Sequence, residues 1–168
     1  MVLPSGRLPI LTSFPMRVCH IVPSLEERHG GPSKSVRALA NAEAALGAQV
    51  ELLATLEPGQ TVAAGADRAT VRTFPRVTPR WLSRSPELRR HLQATPADVV
   101  HHHSLWLLTL RYAAEAARRR DVPLVISPRG MMSGWAWQHR RWRKKLAEWL
   151  VHPGVFAQTD GWHATSPE

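Results

Sequence analysis

Short apolar runs alternate along this chain with longer stretches in which apolar residues recur every three or four positions. The short runs are typical of buried β-strands, and the longer stretches are typical of amphipathic helices. Predicted strands cover residues 17–22, 50–55, 71–74, 98–103, 124–127 and 161–164, and predicted helices cover residues 32–46, 85–92, 107–120 and 138–150. This alternation predicts an α/β fold, a Rossmann-like parallel sheet with helices on both faces.

The length of the chain predicts a single domain, since 168 residues fall within the usual range of roughly 100–200 per domain. Residues 1–15 contain three prolines and little periodicity, so they are expected to form a disordered extension ahead of a domain that covers residues 16–168. The single cysteine, Cys19, lies in an apolar run and cannot form a disulfide within the chain, which favours a reducing compartment.

Charge is distributed unevenly along the chain. The net charge is +9; residues 1–78 hold 8 basic and 6 acidic side chains, whereas residues 79–168 hold 14 basic and 7 acidic ones. The positive excess in the second half favours an anionic partner, such as a phosphate, a nucleic acid or a lipid surface. Arginines that only solvate the outer faces of helices give the same imbalance.

The first candidate site follows the first predicted strand. Ligands of parallel α/β sheets bind at the carboxyl ends of the strands, and this strand leads into Gly30, Gly31 and Pro32. The glycines permit a close approach of the backbone, and Pro32 suits the first turn of a helix, whose free N–H groups attract anions. Gly30 and Gly31 are therefore candidate phosphate-binding residues, and a tight turn before an ordinary helix is the alternative.

Three consecutive histidines end the strand predicted over residues 98–103. Because alternate side chains of a strand share a face, His101 and His103 point one way and His102 points the other. His103 lies nearest the carboxyl end and is expected to face the cleft, whereas His101 and His102 suit hydrogen-bonded core positions. Since adjacent side chains diverge, the run cannot chelate a metal ion by itself, and no metal site is predicted.

A third candidate loop follows the strand over residues 124–127. Arg129, between Pro128 and Gly130, could bind a phosphate or an acceptor carboxylate through two hydrogen bonds. Ser127 could form a hydrogen bond with an acceptor. The alternative for Arg129 is a surface arginine in a loop.

The helix predicted over residues 138–150 has an apolar face and a basic face. Its apolar face carries Trp142, Leu146, Trp149 and Leu150, and its basic face carries Arg141, Lys144 and Lys145. In an α/β domain this pattern favours a helix packed on the sheet with its basic face in solvent. It is also the pattern of a helix lying on a membrane, especially if Trp135 and Trp137 reach the lipid.

Four segments, in this order, resemble the N-terminal domain of the retaining glycosyltransferases of family 4, which have the two-domain GT-B fold. They are residues 20–24 together with 29–33, residues 98–106, residues 127–132 and residues 163–166. Two positions depart from the family pattern, because His102 stands where an apolar residue is usual and Ser104 where a glycine is usual.

The resemblance implies transfer of a sugar from a nucleotide-sugar donor to a glycan or lipid-linked acceptor, in bacterial surface-polysaccharide assembly. It implies a cytoplasmic location, with possible peripheral contact at the inner face of the plasma membrane, and no metal, cofactor or nucleic acid. His103 matches the family's active-site histidine, and Gly30 and Gly31 match the loop that faces the donor phosphates. Family members continue into a second domain that holds most donor contacts, so this chain, which stops at Glu168, is expected to be inactive alone.

Two other functions fit parts of the sequence. A non-enzymatic basic module that binds anionic membrane or nucleic acid requires residues 118–120 and 140–145 to form one patch, whereas the enzyme requires Gly30, His103 and Arg129 to converge. A stand-alone dinucleotide-binding enzyme is disfavoured, because the first loop lacks the G-x-G-x-x-G spacing and the second strand does not end in an acidic residue.

Overall fold

The structure, a computed structural model, describes residues 15–26, 31–62, 66–131 and 149–164. Its strands are β1 (Arg17–Val22), β2 (Gln49–Leu56), β3 (Thr70–Pro75), β4 (Val99–His103), β5 (Leu124–Ser127) and β6 (Gly161–Trp162). Its helices are α1 (Gly31–Ala45), α2 (Pro86–Ala94) and α3 (Leu108–Arg120), and short 3-10 turns cover Arg80–Leu82 and Phe156–Gln158.

The six strands form one sheet in the order β3-β2-β1-β4-β5-β6, and all neighbouring strands are parallel. The predicted α/β class with a Rossmann-like parallel sheet is confirmed. Successive strands run outward from β1 in one direction and from β4 in the other, so the direction of winding changes between these two central strands. Ligands of such sheets bind at this switch point, outside the carboxyl ends of the strands.

Helices cover both faces of the sheet, as the apolar strands predict. Leu53 and Ile126 pack on the side of α3, where Leu110 is fully buried. Leu52 and Val22 pack on the opposite side, against Val36 of α1. Neighbouring residues of one strand thus belong to different cores, which is the consequence of the two-residue period of a β-strand.

The start of α2 follows from its sequence. The Ser85 side chain accepts a hydrogen bond from the backbone N–H of Leu88 at 3.3 Å, and Pro86 occupies the start of the helix. A capping oxygen and a proline at the first position both suit the unpaired N–H groups of a helix N-terminus. The predicted start at residues 85–87 is therefore confirmed.

The basic helix predicted over residues 138–150 lies mostly outside the described residues, and its last two residues are helical. Trp149 is 71% exposed and Leu150 is 54% exposed, so the expected packing of these two side chains on the sheet is wrong. The chain turns directly after them, and His152 and Val155 are buried instead. Within the described parts of the chain, no helix has the length and apolarity needed to cross a membrane.

Candidate active site at the switch point of the sheet

A cavity of about 290 Å³ opens beside the carboxyl ends of β1, β4 and β5. Its polar and aromatic lining includes Ser24, Arg76, Trp81, His103, Ser104 and Arg129. A larger cleft of about 470 Å³ lies beside Arg17 and Gln49, at the amino ends of β1 and β2. Because parallel sheets bind ligands at the carboxyl ends, the smaller cavity is the candidate active site.

His103 and Arg129 meet in the wall of this cavity. An Arg129 terminal nitrogen (Nη2) lies 3.1 Å from His103 Nδ1, and Nη1 donates to Ser35 Oγ at 2.9 Å. The Ser35 hydroxyl in turn donates to the carbonyl of Gly31, in the first turn of α1, at 2.9 Å. The predicted convergence of His103 and Arg129 is confirmed, and this chain of contacts extends it to Gly31.

Arg129 is not the surface arginine that the sequence left open. Its guanidinium is partly buried, and burial lowers its pKa. Its Nε is buried without a hydrogen-bond partner, and no carboxylate of the described residues forms a salt bridge with it. The residue also has a left-handed backbone, with φ of 56°, which is uncommon outside glycine. Such strain is typical of residues held in place at functional sites.

His20 of β1 connects His103 to a carboxylate on α1. His20 Nδ1 lies 2.9 Å from His103 Nε2, and His20 Nε2 lies 2.6 Å from an oxygen of Glu43. The register pairs His20 with His101 across β1 and β4, so His20, His101 and His103 lie on the same face of the sheet. Only 1% of His103 is exposed, because both edges of its ring are occupied.

The other two histidines of the run have structural partners, as predicted. His102 faces the α3 side of the sheet, where its Nδ1 contacts the Ser104 carbonyl and its Nε2 contacts Thr109 Oγ1, each at 3.0 Å. His101 Nε2 contacts Ser127 Oγ at 2.9 Å. Burial lowers the pKa of His101 and of His102 to about 3, and it lowers the pKa of His103 as well.

Ser127 requires a correction. The sequence predicts that its hydroxyl contacts an acceptor, but the side chain is fully buried and is not part of the cavity lining. Its partner is His101, so its role here is to support the histidine cluster. Side chains alternate between the two faces along β5. This alternation places the Ser127 side chain on the face that carries His101.

The histidine cluster is also where a metal ion could be held. One nitrogen from each of His20, His101 and His103 lies within 4.8 Å of the other two. Two of these imidazoles are already hydrogen-bonded to each other at 2.9 Å. His20 lies outside the run of three consecutive histidines on which the prediction of no metal site rests, so the absence of a metal stays a prediction.

Of the two predicted phosphate-binding glycines, the structure describes only Gly31. Gly30 lies outside the described residues, and Gly31 is the first residue of α1. A Cβ built on Gly31 meets nothing within 4 Å, so packing in the described part of the chain does not require glycine there. The first turn of α1 contains no acidic residue, which leaves the positive end of its dipole without a carboxylate of its own.

Sequence reasoning missed His20, Glu43, Ser35 and Trp81. A single polar residue within the apolar run of β1 was the available signal for His20, but its partners depend on the register between strands. Glu43 and Ser35 lie on α1, and their closeness to the histidines follows from how that helix crosses the sheet. Trp81 lies on a 3-10 turn at the cavity, and its side chain is 77% exposed.

Comparison with known families shows to which family the chain belongs. Residues 30–168 match the family model described as a glycosyl transferase 4-like domain. The chain belongs to this family. The match covers most of the chain and includes β4, β5 and the residues that line the cavity after them. Among curated proteins there is no match.

Solved structures show the same fold as this glycosyl transferase 4-like chain. MurG of Acinetobacter baumannii is 15% identical, with a TM-score of 0.54 over 92% of this chain and 42% of that one. HepE of Anabaena, in complex with UDP, is 15% identical, with a TM-score of 0.51 over 89% of this chain and 43% of that one. A second HepE structure holds UDP and glucose. The resemblance to the N-terminal domain of a family 4 GT-B glycosyltransferase is confirmed, and the chain spans less than half the length of these proteins.

Proposed function

We propose that this chain is the acceptor-side domain of a retaining glycosyltransferase. The enzyme moves a sugar from a nucleotide-sugar donor to a glycan or lipid-linked acceptor. The observation that carries the proposal is the contact of Arg129 with His103 and, through Ser35, with the first turn of α1, inside a cavity at the switch point of the sheet. Residues 1–15 form an extension, and residues 16–168 form the domain.

Arg129 and the start of α1 suit the leaving diphosphate of a donor. A partly buried guanidinium with an unpartnered Nε gains hydrogen bonds and charge compensation when an anion enters the cavity. The N-terminus of α1, two contacts away, adds N–H groups and a dipole of the same sign. Stabilisation of the departing negative charge is the largest contribution that such a site can make to the rate.

His103 suits the hydroxyl that reacts or a hydroxyl of the transferred sugar. Its Nδ1 edge lies in the cavity wall, and burial together with the nearby Arg129 lowers its pKa, so the ring is neutral. A neutral imidazole whose Nδ1 accepts a hydrogen bond can orient a sugar hydroxyl without adding charge. The exposed Trp81 ring, at the same cavity, offers a flat apolar surface for the C–H face of a sugar.

The relatives support a nucleotide-sugar donor and a second domain. HepE was solved with UDP and with UDP and glucose, and this chain covers 43% of HepE. We infer that most contacts with the nucleotide come from a separate donor-binding domain and that the chain alone is inactive. Charge favours work at the anionic inner face of the plasma membrane, since residues 79–168 hold 14 basic and 7 acidic side chains.

The test is a transfer assay on the full-length protein, or on this chain supplemented with a donor-binding domain. UDP-, GDP- and ADP-sugars are combined with glycan and lipid-linked acceptors, and the product is analysed by NMR. The proposal predicts a product whose anomeric configuration matches that of the donor. An inverted product contradicts the retaining mechanism. If neither the full-length protein nor the supplemented chain transfers or hydrolyses any donor sugar, the glycosyltransferase function is contradicted.

A further inference from the structure

We propose that Glu43 and His20 are positioning residues that fix the tautomer of His103, so that its Nδ1 remains a hydrogen-bond acceptor for a substrate hydroxyl. The inference rests on the proposed function, because it gives that site its orientation. Glu43, His20, His103 and Arg129 form one continuous line of contacts, which we call the relay. It runs from α1, along one face of the sheet, to the cavity.

The relay consists of three short contacts. Glu43 Oε2 lies 2.6 Å from His20 Nε2, His20 Nδ1 lies 2.9 Å from His103 Nε2, and His103 Nδ1 lies 3.1 Å from Arg129 Nη2. The two imidazoles are 0% and 1% exposed, so water does not compete for their inner nitrogens. The His101 ring packs 4.0 Å from the His103 ring, centroid to centroid, and restricts its rotation.

Only one arrangement of protons satisfies all three contacts with neutral rings. Arginine has donors only, so His103 Nδ1 accepts and the proton of this ring is on Nε2. That N–H then donates to His20 Nδ1, which leaves the His20 proton on Nε2. There it donates to the Glu43 carboxylate, which is an acceptor when ionised. Every group therefore imposes the same tautomer on its neighbour.

The two ends of the relay act at different stages. Before a ligand is bound, Arg129 holds His103 Nδ1 from the cavity side. When Arg129 turns to a donor phosphate, that contact is lost, and only Glu43, acting through His20, keeps the His103 proton on Nε2. The vacated Nδ1 then accepts a hydrogen bond from a sugar hydroxyl. Without Glu43 the proton can move to Nδ1, and the ring then repels that hydroxyl proton.

The Glu43 side chain is suited to this role by its position. It is 30% exposed, so water reaches the carboxyl group, while the ring it contacts is fully buried. A hydrogen bond to a carboxylate sets both the orientation and the tautomer of an imidazole, as it does where a carboxylate holds the outer ring nitrogen of a metal-bound histidine. The cross-strand placement of His20 carries this effect from the helix to the cavity.

The tautomer is measured on the chain itself by nitrogen-15 NMR, which distinguishes a ring nitrogen that carries a proton from one that does not. The His103 signals are assigned by their loss in His103→Gln. The wild-type chain is expected to show Nε2 protonated and Nδ1 unprotonated. R129M, which imitates the departure of the arginine, is expected to keep that tautomer.

Adding Glu43→Ala to R129M is expected to convert this single tautomer into a mixture, because neither end of the relay then holds the proton. Adding Glu43→Gln is expected to restore it, since the amide oxygen accepts from His20. R129M combined with Glu115→Ala is the matched control. Glu115 of α3 pairs with Arg89 of α2 and with Arg111 of α3, so its loss should leave the tautomer unchanged.

Three results overturn the relay. They are a His103 proton on Nδ1 in the wild-type chain, an unchanged single tautomer in R129M/E43A, and a stoichiometric zinc ion bound to the histidine nitrogens. The NMR measurement needs no donor or acceptor, so it fails independently of the proposed function. If the tautomer behaves as expected but the full-length protein transfers no sugar, the function is wrong and the relay stands.

Discussion

Among single residues, the buried histidines His102 and His103 illustrate two different uses of the same side chain. His102 is tied to Ser104 and Thr109 on the α3 side, whereas His103 is tied to Arg129 in the cavity wall. The pairing of each ring decides its role, since burial alone lowers the pKa of both. His102 is held by two partners in the core, and His103 lies in the wall of the cavity, where we propose that it contacts a ligand.

His102 should make the protein sensitive to mild acid. Its pKa is about 3 in the folded chain and about 6.5 when unfolded, so below about pH 6.5 only the unfolded state gains a proton. The free energy of unfolding should therefore fall by about 1.4 kcal/mol per pH unit for this residue as the pH drops from about 6 to about 4.5. Urea unfolding at several pH values measures the slope. His102→Gln should reduce the slope by that amount, and an identical slope in the variant would show that His102 titrates normally.

Trp81 should affect the acceptor without affecting the fold. Its side chain is 77% exposed and lines the cavity, so Trp81→Ala removes little buried area. The KM for the acceptor should rise about threefold to tenfold, from the roughly 0.5–1.5 kcal/mol that an aromatic contact adds. Kinetics of the full-length protein test this, with Trp162→Ala as the control because that ring does not line the cavity. Equal KM values for W81A and the wild type would remove Trp81 from the site.

Among the elements, α2 supports the side of the sheet behind the cavity and depends on its cap. Ser85→Ala removes the oxygen that accepts from the Leu88 N–H, which should lower the free energy of unfolding by about 1 kcal/mol. Chemical denaturation measures the change. Ser85→Thr keeps a capping hydroxyl and should lose less than the alanine variant. A larger loss in S85T than in S85A would show that packing around residue 85, and not the cap, dominates.

The sequence predicts some element boundaries well, and the reason lies in local chemistry. β1 and β5 begin and end where the apolar runs do, and α2 begins at its serine–proline signal. β6 was expected over residues 161–164 but covers two residues, Gly161–Trp162. It is an edge strand with one neighbour, and its length is set by pairing with β5, which the sequence of β6 does not contain.

The candidate site shows the same division between local and long-range information. The parity of a strand predicts that His101 and His103 share a face, and the rule for parallel sheets predicts that Arg129 lies near them. The contacts with His20 and Glu43 depend on the register between β1 and β4 and on the path of α1. Neither is encoded by a pattern within one segment, so these residues could be found only in the structure.

In the whole molecule, the contacts among the cavity residues support the enzyme, and the basic binding module stays untested. The enzyme required Gly30, His103 and Arg129 to converge. His103 and Arg129 do, and Arg129 reaches Gly31 through Ser35, whereas Gly30 lies outside the described residues. The module required residues 118–120 to form a patch with residues 140–145, and the latter lie outside the described residues.

The chain alone should bind nucleotide sugars weakly. It spans 42% of MurG and 43% of HepE, so we expect most nucleotide contacts to be supplied by residues beyond it. Calorimetry with UDP-, GDP- and ADP-sugars should give dissociation constants of about 1 mM or larger. These correspond to binding free energies of about −4 kcal/mol or weaker. A micromolar constant, about −8 kcal/mol, would mean that this chain holds a complete donor site and is not half of one.

Sugar transfer by cavity variants tests the central claim most directly. In the full-length protein, or in the chain supplemented with a donor-binding domain, His103→Ala and Arg129→Ala should each lower kcat by about 100-fold to 1000-fold. The first variant no longer orients the sugar hydroxyl, and the second no longer stabilises the departing diphosphate. Arg118→Ala, an exposed arginine on α3, should leave kcat unchanged, and circular dichroism should show all three variants folded. Unchanged transfer in folded H103A and R129A would place the active site outside this cavity.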